Sequence, residues 1–309
     1  MANKIFKNLD EQIEILKSKG LTINDVTKAK EILLRENYFF LSGYRHFFMD
    51  SKKPKNFISG TTFEELYGVF NFDRHLRNIF FKNILILENN VKSIISYQLS
   101  KKYGFKDKDY LNPKNFANDP MKVRQVGDVL DKMKRQIRIN GRKHSATLHY
   151  ISNYGYIPMW ILVKVLSLGI ISELYAILKN DDKKAIANFY HVDPETLSIY
   201  LSDLANFRNL CAHKDILYDY RTNRPIPDIQ YHYRLSIPQE DNEYIYGKND
   251  LYSLIIIMKV MLKDDEFKML INEIDYEINL LDGMINVVPL KAILNKISFP
   301  DNWKEIVYI

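Results

Sequence analysis

The chain has 309 residues, 44 Lys and Arg against 38 Asp and Glu for a formal charge of +6, and is 46% hydrophobic and 13% aromatic. That composition supplies a sizeable core and excludes disordered and collagen-like classes. A single cysteine, Cys211, excludes an intramolecular disulfide framework and fits a reducing, cytoplasmic setting.

The opening MANKIFKNLDEQIEIL is too polar and too acidic for a signal peptide, and no apolar run approaches the roughly 18–20 residues of a membrane span. A soluble protein with no membrane partner is expected. The mild basic excess is compatible with a polyanionic partner without requiring one.

In chain order, a first helix is expected over about 8–18, stopped by Lys19-Gly20. Asn24-Asp25 can cap a second helix carrying Ala29, Ile32 and Leu33. A long apolar helix follows over about 62–101, with room for one break; it holds Phe63, Leu66, Phe70, Leu76, Phe80, Ile84, Leu87 and Val91. Helical spacing resumes at Val123, Val126, Leu130, Met133 and Ile137, then over Trp160–Leu178 and Leu197–Cys211. Two C-terminal helices are expected over about 250–263 and 265–283. Between them and the motif helix, 225–249 carries three prolines and alternating Tyr231, Tyr233 and Leu235, which reads as a small β-hairpin or an ordered packing loop. The fold class is all-α: a helical bundle over 56–309 with an N-terminal helical extension over 1–55.

Three features carry chemistry. The first is Arg208-Asn209-Leu210-Cys211-Ala212-His213, an arginine, a polar residue and a histidine spaced R-x4-H near a helix end, with Lys214 next. Arginine suits phosphate oxygens and histidine moves protons near neutral pH. Leu197, Leu201, Leu204, Arg208 and Cys211 recur at spacings of 4, 3, 4 and 3, which puts Arg208 on or beside the buried stripe. A structural role there would need a core carboxylate, Glu88 or Asp203. His213 lies about 140° round and roughly 7.5 Å along the helix from Arg208, so one copy does not focus both groups on one atom; two copies across a dimer interface would. The bland reading of His213 is a cation at a helix C-terminus.

The second feature is a cationic stripe: Lys132, Lys134, Arg135, Arg138, Arg142 and Lys143, preceded by Lys122 and Arg124, against only Asp128 and Asp131. Lys134, Arg138 and Arg142 recur every fourth residue, so they could follow a phosphate backbone or simply form a solvated face. The third is the 21 tyrosines, which offer stacking platforms for unpaired bases but serve as readily in a core. No P-loop, dinucleotide fingerprint or Gly-x-Ser-x-Gly motif appears, and the seven histidines show no metal spacing; neither metal nor cofactor is expected.

Arg208–His213 matches the R-x4-6-H signature of the HEPN ribonuclease superfamily, and four ordered blocks extend the likeness. Asn37–Tyr44 (NYFFLSGY), the Phe63–Tyr67, Phe72–Arg77 and Ile86–Glu88 segments of the long helix, Ile157–Trp160 with Leu168–Ser172, and Tyr200–Leu204 leading into the motif resemble the Abi family of phage-defence proteins, the AbiD/AbiF-like group. The resemblance implies a HEPN-like helical bundle, a homodimer with paired motifs at its cleft, and a metal-independent endoribonuclease with Arg208, Asn209 and His213 catalytic. It also implies RNA partners, including a structured small non-coding RNA. Two departures are visible. Asp215 stands where nucleotidyltransferase-regulated HEPN toxins carry tyrosine, and Arg142–Ala146 lacks the acidic residue usual before the Pro158-Met159-Trp160 block. An RNA-binding protein that holds a structured RNA with little cleavage, and a purely structural helical dimer, are the competing readings.

Overall fold

A computed structural model describes residues 5–213 and 215–309. In chain order the helices are α1 (Leu9–Ser18), α2 (Val26–Glu36), α3 (Tyr38–Ser42), α4 (Phe63–Tyr103), α5 (Asp107–Tyr110), α6 (Val123–Asn140), α7 (Ser145–Tyr154) and α8 (Met159–Val165). They continue as α9 (Leu168–Ile177), α10 (Asn180–Ala187), α11 (Pro194–His213), α12 (Gln230–Arg234), α13 (Leu251–Met261), α14 (Asp264–Asp282) and α15 (Leu290–Lys296). The only sheet among the described residues pairs β1 (Gln239–Glu240) with β2 (Glu243–Tyr244), antiparallel. The fold is all-α with a small β insertion. No helix among the described residues is long and apolar enough to cross a membrane.

The organising element is α4, 41 residues and about 62 Å long. The room for a break is not used: the stretch holds no proline and one glycine, and its apolar residues face α8, α11, α14 and α10 in turn. Its start is fixed by a reciprocal capping box, Thr62 accepting from Glu65 N while Glu65 accepts from Thr62 N. The same buried Glu65 carboxylate accepts from Asn286 N (2.7 Å) and Val287 N (2.9 Å), tying the loop after α14 to this end of α4. Burial pushes the Glu65 carboxyl up, and the donors around it outweigh burial and leave it below its usual range. Leu16, Leu33 and Tyr44 of the N-terminal segment share one continuous core with Phe80 and Leu204.

Two expectations are corrected. The apolar stretch Trp160–Leu178 is two helices, because Leu166 and Ser167 turn extended and the Ser167 hydroxyl restarts the chain as α9 by accepting from Ile170 N. The alternation of Tyr231, Tyr233 and Leu235 marks α12 and its cap, not a strand. Tyr231 and Leu235 are buried and Tyr233 is exposed; a spacing of four fits a helix as well as a strand. The hairpin lies just beyond, turned by Asp241 and Asn242, both at positive φ as a type I′ turn demands. Fully buried His232 anchors this insertion, with Nε2 2.8 Å from Gly247 O and its ring stacked on Tyr244.

Candidate functional site

The motif sits at the end of α11. Asp193 caps this helix, its Oδ1 accepting from Glu195 N and Thr196 N at 2.9 Å each, and Pro194 occupies the first turn, where no amide donor is needed. Leu197, Leu201 and Leu204 bury one face. Arg208 lies at the edge of that face with 31% of its side chain exposed, while Asn209 and His213 are exposed. Cys211 points inward, and burial pushes its thiol up to about 12, leaving it an inert core group.

Of the two carboxylates that could partner Arg208, the fold selects Glu88 on α4. Arg208 Nε is 3.7 Å from Glu88 Oε2, and the guanidinium lies over the Phe81 ring at 5.6 Å. Glu88 Oε1 accepts from Lys92 Nζ at 2.6 Å, one helical turn along α4. Arg208 Nε and Glu88 Oε2 are both buried without a hydrogen-bond partner among the described residues, although they face each other. Their contact is electrostatic and loose, leaving hydrogen-bonding capacity unused. Asp203 points elsewhere in the core, and its Oδ2 is buried without a hydrogen-bond partner among the described residues. Burial pushes its carboxyl up to about 7, with the Thr222 hydroxyl opposing.

Glu88 also lines a polar cleft of about 520 Å³ between α4, α8 and the start of α7, with Asn89, Lys92, His144, Trp160 and Lys164 on its walls. Sequence reasoning missed Asn89, Lys92 and Lys164 here. They are scattered between positions 89 and 164, and their only sequence signal is one polar turn (Glu88-Asn89-Asn90) in an otherwise apolar helix face.

A buried polar hub fixes the chain that leaves the motif. The Asp73 carboxylate pairs with Arg77 and accepts from Tyr44 OH (2.7 Å), Tyr218 N (3.0 Å) and Leu217 N (3.4 Å). Arg77 donates to Asp215 O at 3.2 Å, and Tyr218 OH donates to Gly43 O at 3.0 Å. A Cβ on Gly43 would stand 2.6 Å from Ile216 Cδ1, so glycine permits this close approach. The Asn37–Tyr44 block, the Phe72–Arg77 block and the segment after the motif therefore meet at one point. The unused tyrosine-like position, Asp215, serves here through its backbone carbonyl.

The cationic stripe is only partly as expected. Arg135 and Arg138 are exposed on α6. Lys132 Nζ is bound at 2.6 Å by Glu173 of α9, and Lys134 lies 3.4 Å from Asp131. Because α6 ends at Asn140, Arg142 and Lys143 do not continue the fourfold spacing. They stand exposed in the turn before α7. Lys214 lies outside the described residues. Helix α9 packs against both α6 and α11, so the stripe and the motif are carried by helices on either side of a shared neighbour.

A family model described as Abi-like protein matches residues 31–219, more than half of the chain, and spans every element of the hub, the cleft and the motif. No curated protein and no solved structure matches it.

Proposed function

The chain belongs to the Abi-like protein family, whose membership supports a role in abortive-infection phage defence. From that premise we propose an endoribonuclease of the HEPN type, AbiD/AbiF-like, that acts on RNA without a metal through Arg208, Asn209 and His213 in the cleft of a homodimer. RNA carries its own nucleophile, the 2′-hydroxyl. His213 of one copy takes that proton, worth roughly 10²–10⁴-fold. Its counterpart in the second copy protonates the departing 5′ oxygen, Arg208 stabilises charge gathering on the phosphorane, and the Asn209 amide positions the phosphate. The products carry a 2′,3′-cyclic phosphate and a 5′-hydroxyl.

The observation that carries this reading is the disposition of the motif. His213 and Asn209 are exposed near the C-terminal end of a helix capped at its start by Asp193, while Arg208 is lodged in the wall with hydrogen-bonding capacity unused among the described residues. Exposed Arg135, Arg138, Arg142 and Lys143 supply cations for the RNA backbone, with Lys132, Lys134 and Lys214 as further contributors.

A second reading, an RNA-binding protein that holds a structured small RNA, is favoured by the engagement of Arg208 with Glu88 and Phe81. The two separate by incubating purified protein and its His213→Ala variant with RNA and mapping the ends. The nuclease reading expects cyclic-phosphate ends that vanish in the variant while its circular dichroism is unchanged. Intact RNA in both, with one discrete species co-purifying, overturns it in favour of the holder.

A further inference from the structure

We propose that a ladder of aromatic rings beginning at the cleft beside Arg208 is a stacking track for the unpaired bases of an RNA strand. This rests on the RNA reading above and assigns it a substrate form, single-stranded RNA, and a binding site. Trp160, on the cleft wall, packs on Phe105 at 5.7 Å between ring centroids, and Phe105 on Tyr156 at 5.7 Å. Tyr156 meets Tyr154 at 6.2 Å, and Tyr154 meets Tyr150 at 5.4 Å. These rings come from three separate places, just past α4, the end of α7 with the turn after it, and the start of α8, yet each touches the next.

Three of the five rings are well exposed, and Tyr150 and Tyr156 are half-buried. Trp160 is 44% exposed, Phe105 39% and Tyr154 57%. Cations stand at its start and middle: Lys92 and Lys164 line the cleft where it begins, and Lys106 Nζ lies 5.2 Å from the Tyr156 ring. The only carboxylate among the cleft-lining residues, Glu88, is already engaged by Lys92 and Arg208. Exposed aromatic rings with positive charge beside them complement bases and phosphates together, which a purely apolar partner would not use. Duplex RNA buries its base faces, so only an unpaired strand can occupy the row. At the cleft wall, His144 Nδ1 has no hydrogen-bond partner among the described residues, which leaves a ring nitrogen for a base edge or a 2′-hydroxyl.

The test uses the full chain carrying His213→Ala, so that RNA is bound and not consumed. Titration with a short oligouridylate should quench tryptophan emission, and adding Trp160→Phe should abolish the quenching, because the second tryptophan, Trp303, is buried. Trp160→Ala, or Tyr154→Ala where the first fails to fold, should weaken oligouridylate binding roughly 5- to 100-fold. A blunt duplex should bind without quenching. Oligouridylate that binds with no quenching and unchanged affinity in both alanine variants overturns the track and leaves the RNA reading standing. Failure of every RNA to bind overturns both. Ladder substitutions that change the oligomeric state in light scattering, with oligouridylate affinity unaltered, assign the row to a second copy of the chain and overturn the proposal.

Discussion

Replacing Asp73 by asparagine tests the claim that a buried charge hub holds the segment behind the motif. Asp73 is 2% exposed and Arg77 5%, and the carboxylate collects Tyr44 OH and the amides of Leu217 and Tyr218 besides the guanidinium. Asparagine keeps the shape, yet it leaves Arg77 buried without its counter-charge and turns one acceptor into a donor facing other donors. Breaking one side of a buried pair costs about 3–5 kcal/mol. Arg77 keeps two weaker bonds, to Tyr44 OH and Asp215 O at 3.2 Å each, which places the expectation toward the lower end, about 3 kcal/mol. Urea unfolding of the Asp73→Asn, Arg77→Met and double variants measures it. The double variant should lose less than the sum of the singles by about 2 kcal/mol or more, since it strands neither charge. Hydrogen exchange adds a local reading: the Leu217 and Tyr218 amides should be protected in the native protein and exchange faster in Asp73→Asn. Strictly additive losses, or a single-variant loss below about 1 kcal/mol, would refute the hub.

Asp203 predicts a pH effect. Burial holds its carboxyl at about 7 in the fold, against about 3.9 for a free aspartate, so between those values the folded chain retains a proton that the unfolded chain has released. Stability should therefore fall as pH rises from about 4 to 7 and level off above, by up to about 4 kcal/mol. Asp203→Asn should flatten that slope in melting curves taken across the window; an unchanged slope would place the titration elsewhere. On α6, Arg135→Ala with Arg138→Ala should reduce the slope of log affinity against log salt for single-stranded RNA by about 1.4, two phosphate contacts' worth. Lys132→Ala should change it less, because Glu173 already binds that lysine, and equal effects would contradict this division.

Most of the helical architecture was legible from spacing and caps. The Asn24-Asp25 cap of α2, the apolar rhythm of α4 and the end of α1 at Lys19-Gly20 are local signals, set by residues within a few positions of one another. Errors arose where local patterns are degenerate. Ser167 resets the helix through one hydroxyl, and the 231–235 spacing suits helix and strand equally. The end of α6 at Asn140 left Arg142 and Lys143 in a turn, a boundary that a run of cations hides.

The motif itself was readable in six residues, as was the inward tilt of Arg208, because heptad-like spacing fixes which face a residue occupies. Its partner was not. Glu88 and Asp203 are equivalent candidates in one dimension, and only the packing of α11 against α4 brings Glu88 within 3.7 Å while leaving Asp203 buried away from the arginine. The same holds for the Asp73 hub and the aromatic row. Each joins residues from separate segments, and contacts at such separation follow from how helices cross. The sequence by itself determined the elements and the chemical inventory of the motif; the tertiary structure decided which charges meet, which stay unpaired, and which rings gather at the cleft that Glu88 lines.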